Sequence, residues 1–280
     1  MKIALTYPKS EQYNPLFKTA LESFMFLNEL GYSAFLISHN ELTDEYDGYV
    51  FVSDYIDHKI KAKVFLDNKP CIIISGCVFD HRNSGRVRLL FNGITPNFGT
   101  WNLQGSEDYW NKLNIKQKTS SGDSILICPN NFYTDISFGK NMMEWVVEQV
   151  EEYGEEVIVK FHPKYKTRKD LDVARNFKGA KTIVREKSTD NLSYRTIVTY
   201  SSTASVEGAI KGANVIAKSP GDFMFRHSLL DCAGCVWKIS ELKEAFLLNK
   251  YIFDNAITDF YDDKFRDTVM NWVEYRYATQ

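Results

Sequence analysis

The feature that most constrains this chain is a rhythm. Short β-branched runs alternate with stretches whose apolar residues recur at helical spacing, and the pattern occurs twice with a polar seam between. The first set opens with IALTY (3–7), stopped by Pro8. Residues 14–30 then place Leu16, Ala20, Phe24 and Leu27 at helical intervals, with Gly31 as a C-terminal cap. SAFLIS (33–38), DGYVFVS (47–53), CIIIS (71–75) and VRLLFN (87–92) read as strands, and DHKIKAKVFLD as a helix. NIKQKTSSGD (114–123), polar and centred on Ser-Ser-Gly, reads as a linker. The rhythm then restarts with ILIC (125–128) and a helix over 140–153 carrying Met142, Met143, Val146, Val147 and Val150. VIVKFH (157–162), TIVTYSS (196–202), NVIAKS (214–219) and CVW (235–237) follow as strands, and 241–249 and 264–277 as helices. Strands alternating with helices predict βαβ units, parallel sheets and right-handed crossovers. The expected class is therefore α/β, in two domains facing a cleft, residues 1–118 and 119–280, with the last helix packing back on the first domain. Ligands of such sheets sit at the carboxyl ends of the strands.

Composition narrows the function. Aromatic residues make up 14% of the 280, which excludes disorder, and the net charge of −2 excludes a globally basic nucleic-acid binder. No apolar run approaches the ~18 residues of a membrane span, and the first residues read as a strand rather than a signal peptide. The five cysteines (Cys71, Cys77, Cys128, Cys232, Cys235) are odd in number and spread out, which predicts reduced thiols and a cytoplasmic protein. Charge is nevertheless uneven. Residues 59–88 hold seven Lys/Arg against two acids, and residues 157–187 hold ten against three. Patches of this kind on a neutral protein suit a phosphate-bearing ligand or a polyanion.

Two strand ends in the second half carry the chemistry. In Val157-Ile-Val-Lys-Phe-His-Pro-Lys164 a buried strand runs into Lys160 and His162 and is stopped by Pro163. Two residues apart on a strand, Lys160 and His162 share a side and offer cationic donors to a phosphate. In the segment 196–212 a strand ends at Tyr200, and Ser201, Ser202 and Thr203 open a helix that stops at Gly212. Hydroxyls and N–H groups there suit an anion, and Glu207, about one turn inside, suits ribose hydroxyls.

A strand ending in His-Pro, then a strand running into Ser-Ser-x-x-x-x-Glu, then Gly and Val-Ile, resembles the donor domain of GT-B glycosyltransferases. The nearest flavour is the group of capsule-polysaccharide, bacterial sialyl- and Kdo transferases, with the related polyol-phosphate transferases. ILICPNN (125–131), Trp145, Arg266 and Asn-Trp-Val-Glu-Tyr (271–275) add to the resemblance, which spans roughly 124–277. Lys160 stands where an Arg is frequent. The resemblance implies two Rossmann-like domains and a nucleotide-sugar co-substrate of UDP or CMP type. It also implies no other cofactor and no metal, because the helix dipole and side chains offset the leaving-group charge. Lys160, His162, Ser201, Ser202 and Thr203 would hold the donor phosphate, and Glu207 the ribose.

Transfer to a hydroxyl also needs a base. Asp80 and His81, after CIIIS, and Asp54, after GYVFVS, are the candidates, with Asp80 first. Residues 92–101, rich in Gly, Asn and aromatics, suit an acceptor-contacting loop. The acceptor is either a surface glycan or a hydroxymethylated pyrimidine in phage DNA, whose enzyme would flip the base and need basic surface. A CDP-alcohol-dependent polyol-phosphate transferase and a non-catalytic two-domain binder are the alternatives. Other chemistries lack their signatures. Cys232-Ala-Gly-Cys235 has no second pair for zinc, and Asp170-Leu-Asp172 lies in a Lys-rich helical stretch. There is no Walker A, no G-x-G-x-x-G and no G-x-S-x-G.

Overall fold

The computed structural model describes residues 1–7, 14–38, 41–52, 60, 63–64, 67–76, 85–95, 98–100, 107–120, 122–129, 141–154, 156–161, 180–185, 188–219, 222–225 and 228–255. The fold is α/β, with two sheets built mainly of parallel strands. The chain divides into two units. One contains Met1–Leu113 and the segment that returns from Leu230, and the other contains Asn114–Leu229.

The sheet of the first unit contains β1 (Lys2–Tyr7), β2 (Ser33–Ser38), β3 (Gly48–Val52), β4 (Cys71–Gly76), β5 (Arg86–Thr95), β6 (Phe98–Thr100) and β12 (Val236–Lys238). Its order is β12-β5-β4-β3-β1-β2, with β6 paired to β5. β3 and the first five residues of β4 are buried throughout rather than in alternation, as befits strands covered on both faces. Their side chains pack with Leu27 and Ala20 of α1 (Asn14–Glu29) and with Leu242, Ala245 and Phe246 of α6 (Leu242–Leu248). Phe253 of α7 (Lys250–Asn255) completes this core.

One strand, β5, is reversed in the expected parallel sheet. β5 runs antiparallel to β4, and both β6 and β12 run antiparallel to β5. The reason is chain length: Gly76 and Arg86 are too close in sequence for a crossover helix, which takes a dozen or more residues. Residues 92–95 and 98–100, expected in a loop, are instead paired strands. Val236–Lys238, counted by sequence with the second half, finishes the first sheet, where Trp237 is buried.

The second unit holds five parallel strands: β7 (Ile125–Cys128), β8 (Val157–Phe161), β9 (Ala180–Arg185), β10 (Thr196–Thr199) and β11 (Asn214–Ala217). Their order is β11-β10-β7-β8-β9. In local numbering this is 3-2-1-4-5 read from β9, so the winding reverses between β7 and β10, the place where doubly wound sheets bind ligands. β9 has no counterpart in the sequence reading. It is an edge strand, paired only with β8 among the described residues.

α3 (Met142–Tyr153) covers one face. The Asn141 side chain accepts the N–H groups of Met143 (3.0 Å) and Glu144 (3.4 Å), capping its start. Trp145, Val146 and Val150 then pack on Val157, Val159, Phe161 and Val198. Trp145 meets Tyr200 edge-on, with ring centroids 5.4 Å apart. On the other face lies α4 (Ala204–Ile210). Gly208 brings that helix close to β10, since a Cβ there would lie 2.5 Å from Ile197 Cγ2. The Ser-Ser-Gly seam is part of this unit, because Lys118 N–H donates to the Ile210 carbonyl at 2.8 Å.

Candidate functional site

Strand alternation sets the site. Val157, Val159 and Phe161 face α3, so Ile158 and Lys160 face the α4 side. By the same alternation Leu126 and Cys128 of β7, and Ile197 of β10, also face α4. Thr199 pairs with Cys128 in register, and Ile127 pairs with Val159. The carboxyl ends of three adjacent strands therefore present a row of Lys160, Cys128 and Thr199 on one face, spanning the switch point.

Lys160 is only 6% exposed and has no hydrogen bond or ion pair among the described residues. A buried ammonium needs compensating charge. Two carboxylates, Glu207 and Asp222, act on the same spot, for both raise the neighbouring Cys128 thiol while Lys160 lowers it. Burial is the larger influence and pushes that thiol up to about 12, so Cys128 is neutral and inert at ordinary pH.

After β10 the chain turns sharply. Ser201 has φ +56°, a left-handed conformation unusual for a side-chain-bearing residue. Ser202 N–H then donates to Asp222 Oδ2 at 2.9 Å, and Met224 N–H to Asp222 Oδ1 at 3.0 Å. Asp222 is buried, and burial raises its carboxyl above the ordinary value. The two N–H groups pull it back. The Ser202 hydroxyl oxygen accepts the Ala204 N–H at 3.2 Å, and the Ser205 hydroxyl donates to the Ser202 carbonyl at 2.8 Å. Several donors of the turn are thus spent in fixing its shape. Thr203 makes no side-chain cap bond.

Glu207 lies one turn into α4. Its Oε2 accepts both the N–H (2.9 Å) and the hydroxyl (3.0 Å) of Thr189. Oε1 takes no hydrogen bond among the described residues. Lys211, one turn further on, donates to the Thr189 carbonyl and lies over the Tyr194 ring, 5.3 Å from its centroid. Desolvation lowers the Lys211 ammonium, opposed by Asp190, whose Oδ1 is 4.0 Å away.

No protein-family model matches the sequence, and no curated protein does. Solved structures similar to it include KpsC of Thermosulfurimonas dismutans, a beta Kdo 2,7 transferase. That match has 12% identity over 89% of this chain and all of that one, with a TM-score of 0.46. S. aureus MnaA, in a co-structure with UDP, is 11% identical over 92% of this chain and 98% of that one, with a TM-score of 0.32. A glycosyltransferase from Rickettsia africae ESF-5 is 13% identical over 96% of this chain and 93% of that one, with a TM-score of 0.33.

The structure brings Lys160, Ser201, Ser202, Thr203 and Glu207 together around the carboxyl ends of β8, β7 and β10. His162, Asp54, Asp80 and His81 lie outside the described residues. Asp222, Thr189 and Lys211 are absent from the sequence reading. Pro-Gly-Asp (220–222), following the NVIAKS strand, is the one signal that points to the first of them. Cys232 and Cys235 are buried, and no group of three or more His, Cys, Asp or Glu suited to a metal gathers among the described residues. No described helix is long and apolar enough to cross a membrane.

Proposed function

We propose that the protein is a glycosyltransferase that takes a sugar from a nucleotide-sugar donor, of UDP or CMP type, and passes it to an acceptor hydroxyl without a bound metal. The observation that carries this reading is Lys160, a lysine only 6% exposed that stands at the switch point of a doubly wound sheet with no direct partner among the described residues. A donor phosphate would give Lys160 a directly bonded partner. In this reading His162 and the Ser202 and Thr203 donors share that phosphate, and one oxygen of Glu207 accepts from the ribose.

The chemistry follows from the charges. The bond between the anomeric carbon and the donor phosphate oxygen breaks, and its electron pair leaves on the nucleotide. Lys160 and His162 stabilise that charge as it forms. The acceptor oxygen bonds to the anomeric carbon, and its proton passes to a base, Asp80 in first place, with His81 and Asp54 as alternatives.

Thermal shift with UDP, CMP, CDP, GDP and ADP, on the wild type and on His162→Ala, tests the donor half. One nucleotide should raise the melting temperature of the wild type and not of the variant. If none does, the donor reading is wrong. Sugar transfer to a surface glycan or to hydroxymethylated DNA, with EDTA present, then tests acceptor and metal independence. Asp80→Asn should abolish transfer and leave nucleotide binding intact. Stabilisation by CDP-glycerol, without response to any nucleotide sugar, would instead mark a polyol-phosphate transferase.

A further inference from the structure

Glu207 and Lys211 are four apart on α4, the spacing at which a Glu and a Lys ordinarily pair. They do not pair here. Thr189, fully buried in the segment before β10, stands between them and bonds to both side chains, while its carbonyl also accepts the Leu192 N–H at 3.1 Å. Its N–H and hydroxyl donate to one oxygen of Glu207, and its carbonyl accepts from Lys211. Tyr194 closes the arrangement from below, with its ring under the Lys211 ammonium.

Such a wedge has a physical consequence. An exposed carboxylate on a helix samples several rotamers, and ordering it on binding costs affinity. Two donors from one rigid residue fix the Oε2 end of Glu207, so Oε1 is held in one direction before any ligand arrives. The Lys211 and Leu192 bonds together hold the carbonyl of the wedge, and the first of them keeps the lysine from capturing the carboxylate itself.

We infer that Thr189 is a positioning residue that orients Glu207 to read the ribose hydroxyls of the donor, so that ribonucleotides are selected over 2′-deoxyribonucleotides. The inference rests on the donor-site reading above. A site built to hydrogen-bond a hydroxyl discriminates against the analogue that lacks it, because the carboxylate oxygen is then left without its partner.

The test is calorimetric titration of UDP, CDP and CMP, each against its 2′-deoxy counterpart, with inorganic pyrophosphate as a probe that has no ribose. The wild type should bind at least one ribonucleotide about 10-fold more tightly than its deoxy form. Thr189→Val should bring that ratio to within about 2-fold of unity while pyrophosphate affinity stays unchanged, and Thr189→Ser should restore the preference. Lys211→Met reaches the same wedge through its carbonyl and should lower the ratio as well. It decides the matter if Thr189→Val does not fold. A folded Thr189→Val, or in its absence Lys211→Met, that keeps the full ribose preference would overturn the inference and leave the donor site standing. A wild type that binds nucleotides without ribose preference would also overturn it. A wild type that binds no nucleotide would overturn the donor reading, and the inference with it.

Discussion

The Asp222 carboxylate holds the Ser202 backbone N–H at 2.9 Å across twenty residues of sequence, and this bond sets the shape of the turn after β10. A second N–H, from Met224, occupies the other carboxylate oxygen at 3.0 Å. Asp222→Ala leaves both buried donors unpaired. Hydrogen bonds to a charged group contribute about 1.5–3 kcal/mol each, and unpaired buried donors cost about 1–3 kcal/mol. The overlapping terms give a loss of about 3 kcal/mol, readable as a lower urea midpoint followed by Trp145 fluorescence.

Asp222 also gives this unit a pH dependence of definite sign. Burial raises its carboxyl above the ordinary 3.8, so between 3.8 and the folded value the native state binds more proton than the unfolded chain. Its contribution is fully present below 3.8 and is lost as pH rises through the folded value. Asp222→Asn does not titrate. The stability of the wild type relative to Asp222→Asn should therefore be greatest near pH 4 and decline towards neutrality, measured by urea unfolding of both chains at matched pH. A difference that grows with pH would contradict the assignment.

These two residues also show where sequence legibility stops. Runs such as CIIIS and ILIC are legible because strands covered on both faces cannot carry polar residues. The placement of Lys160 and the Ser201–Thr203 run at strand ends, and of Glu207 in the helix that follows, is legible because buried strands give way to polar residues there. Asp222 and Thr189 are not, since each acts on a partner 18–20 residues away, and partly through backbone N–H groups that every non-proline residue has. CVW is legible as a strand, but the sheet it joins is not, for a similar reason. Three residues carry no periodicity, and their pairing with β5 joins segments about 150 residues apart. β5 itself was decidable, because the short stretch after Gly76 forbids a parallel crossover.

Ser201 makes a local prediction. At φ +56° a residue with a Cβ costs about 1 kcal/mol relative to glycine. Ser201→Gly removes that strain but loosens the unfolded chain, so its stability should stay within about 1 kcal/mol of wild type. Ser201→Val, β-branched in a left-handed conformation, should lose about 2 kcal/mol or more. Thermal melts of the two variants should separate clearly, and equal melting temperatures would show that the turn relaxes out of this conformation.

Gly208 reports on the contact between α4 and β10. Alanine improves helix propensity by about 1 kcal/mol, yet its Cβ would lie 2.5 Å from Ile197 Cγ2. Overpacking of a buried contact costs about 1–3 kcal/mol. Gly208→Ala should therefore destabilise the wild type by about 1 kcal/mol and become neutral or stabilising in an Ile197→Ala background. A double-mutant cycle on denaturation free energies measures the coupling. Simple additivity would mean that the two residues are further apart than described.

Lys160 separates binding from folding most sharply. The residue is 6% exposed and lies beside a neutral thiol, with carboxylates near but not bonded to it among the described residues. Lys160→Met keeps the aliphatic stem and removes the charge. The variant should be as stable as the wild type or more stable by up to about 2 kcal/mol. Removing a charge-assisted phosphate contact should lower nucleotide affinity at least about 10-fold. Urea midpoints and titrations with UDP or CMP give the two numbers on the same preparations. A variant that loses stability and affinity together would mean that Lys160 is a structural ion-pair partner rather than an anion receptor. Stability retained with affinity lost is the signature of a charge kept buried for a ligand.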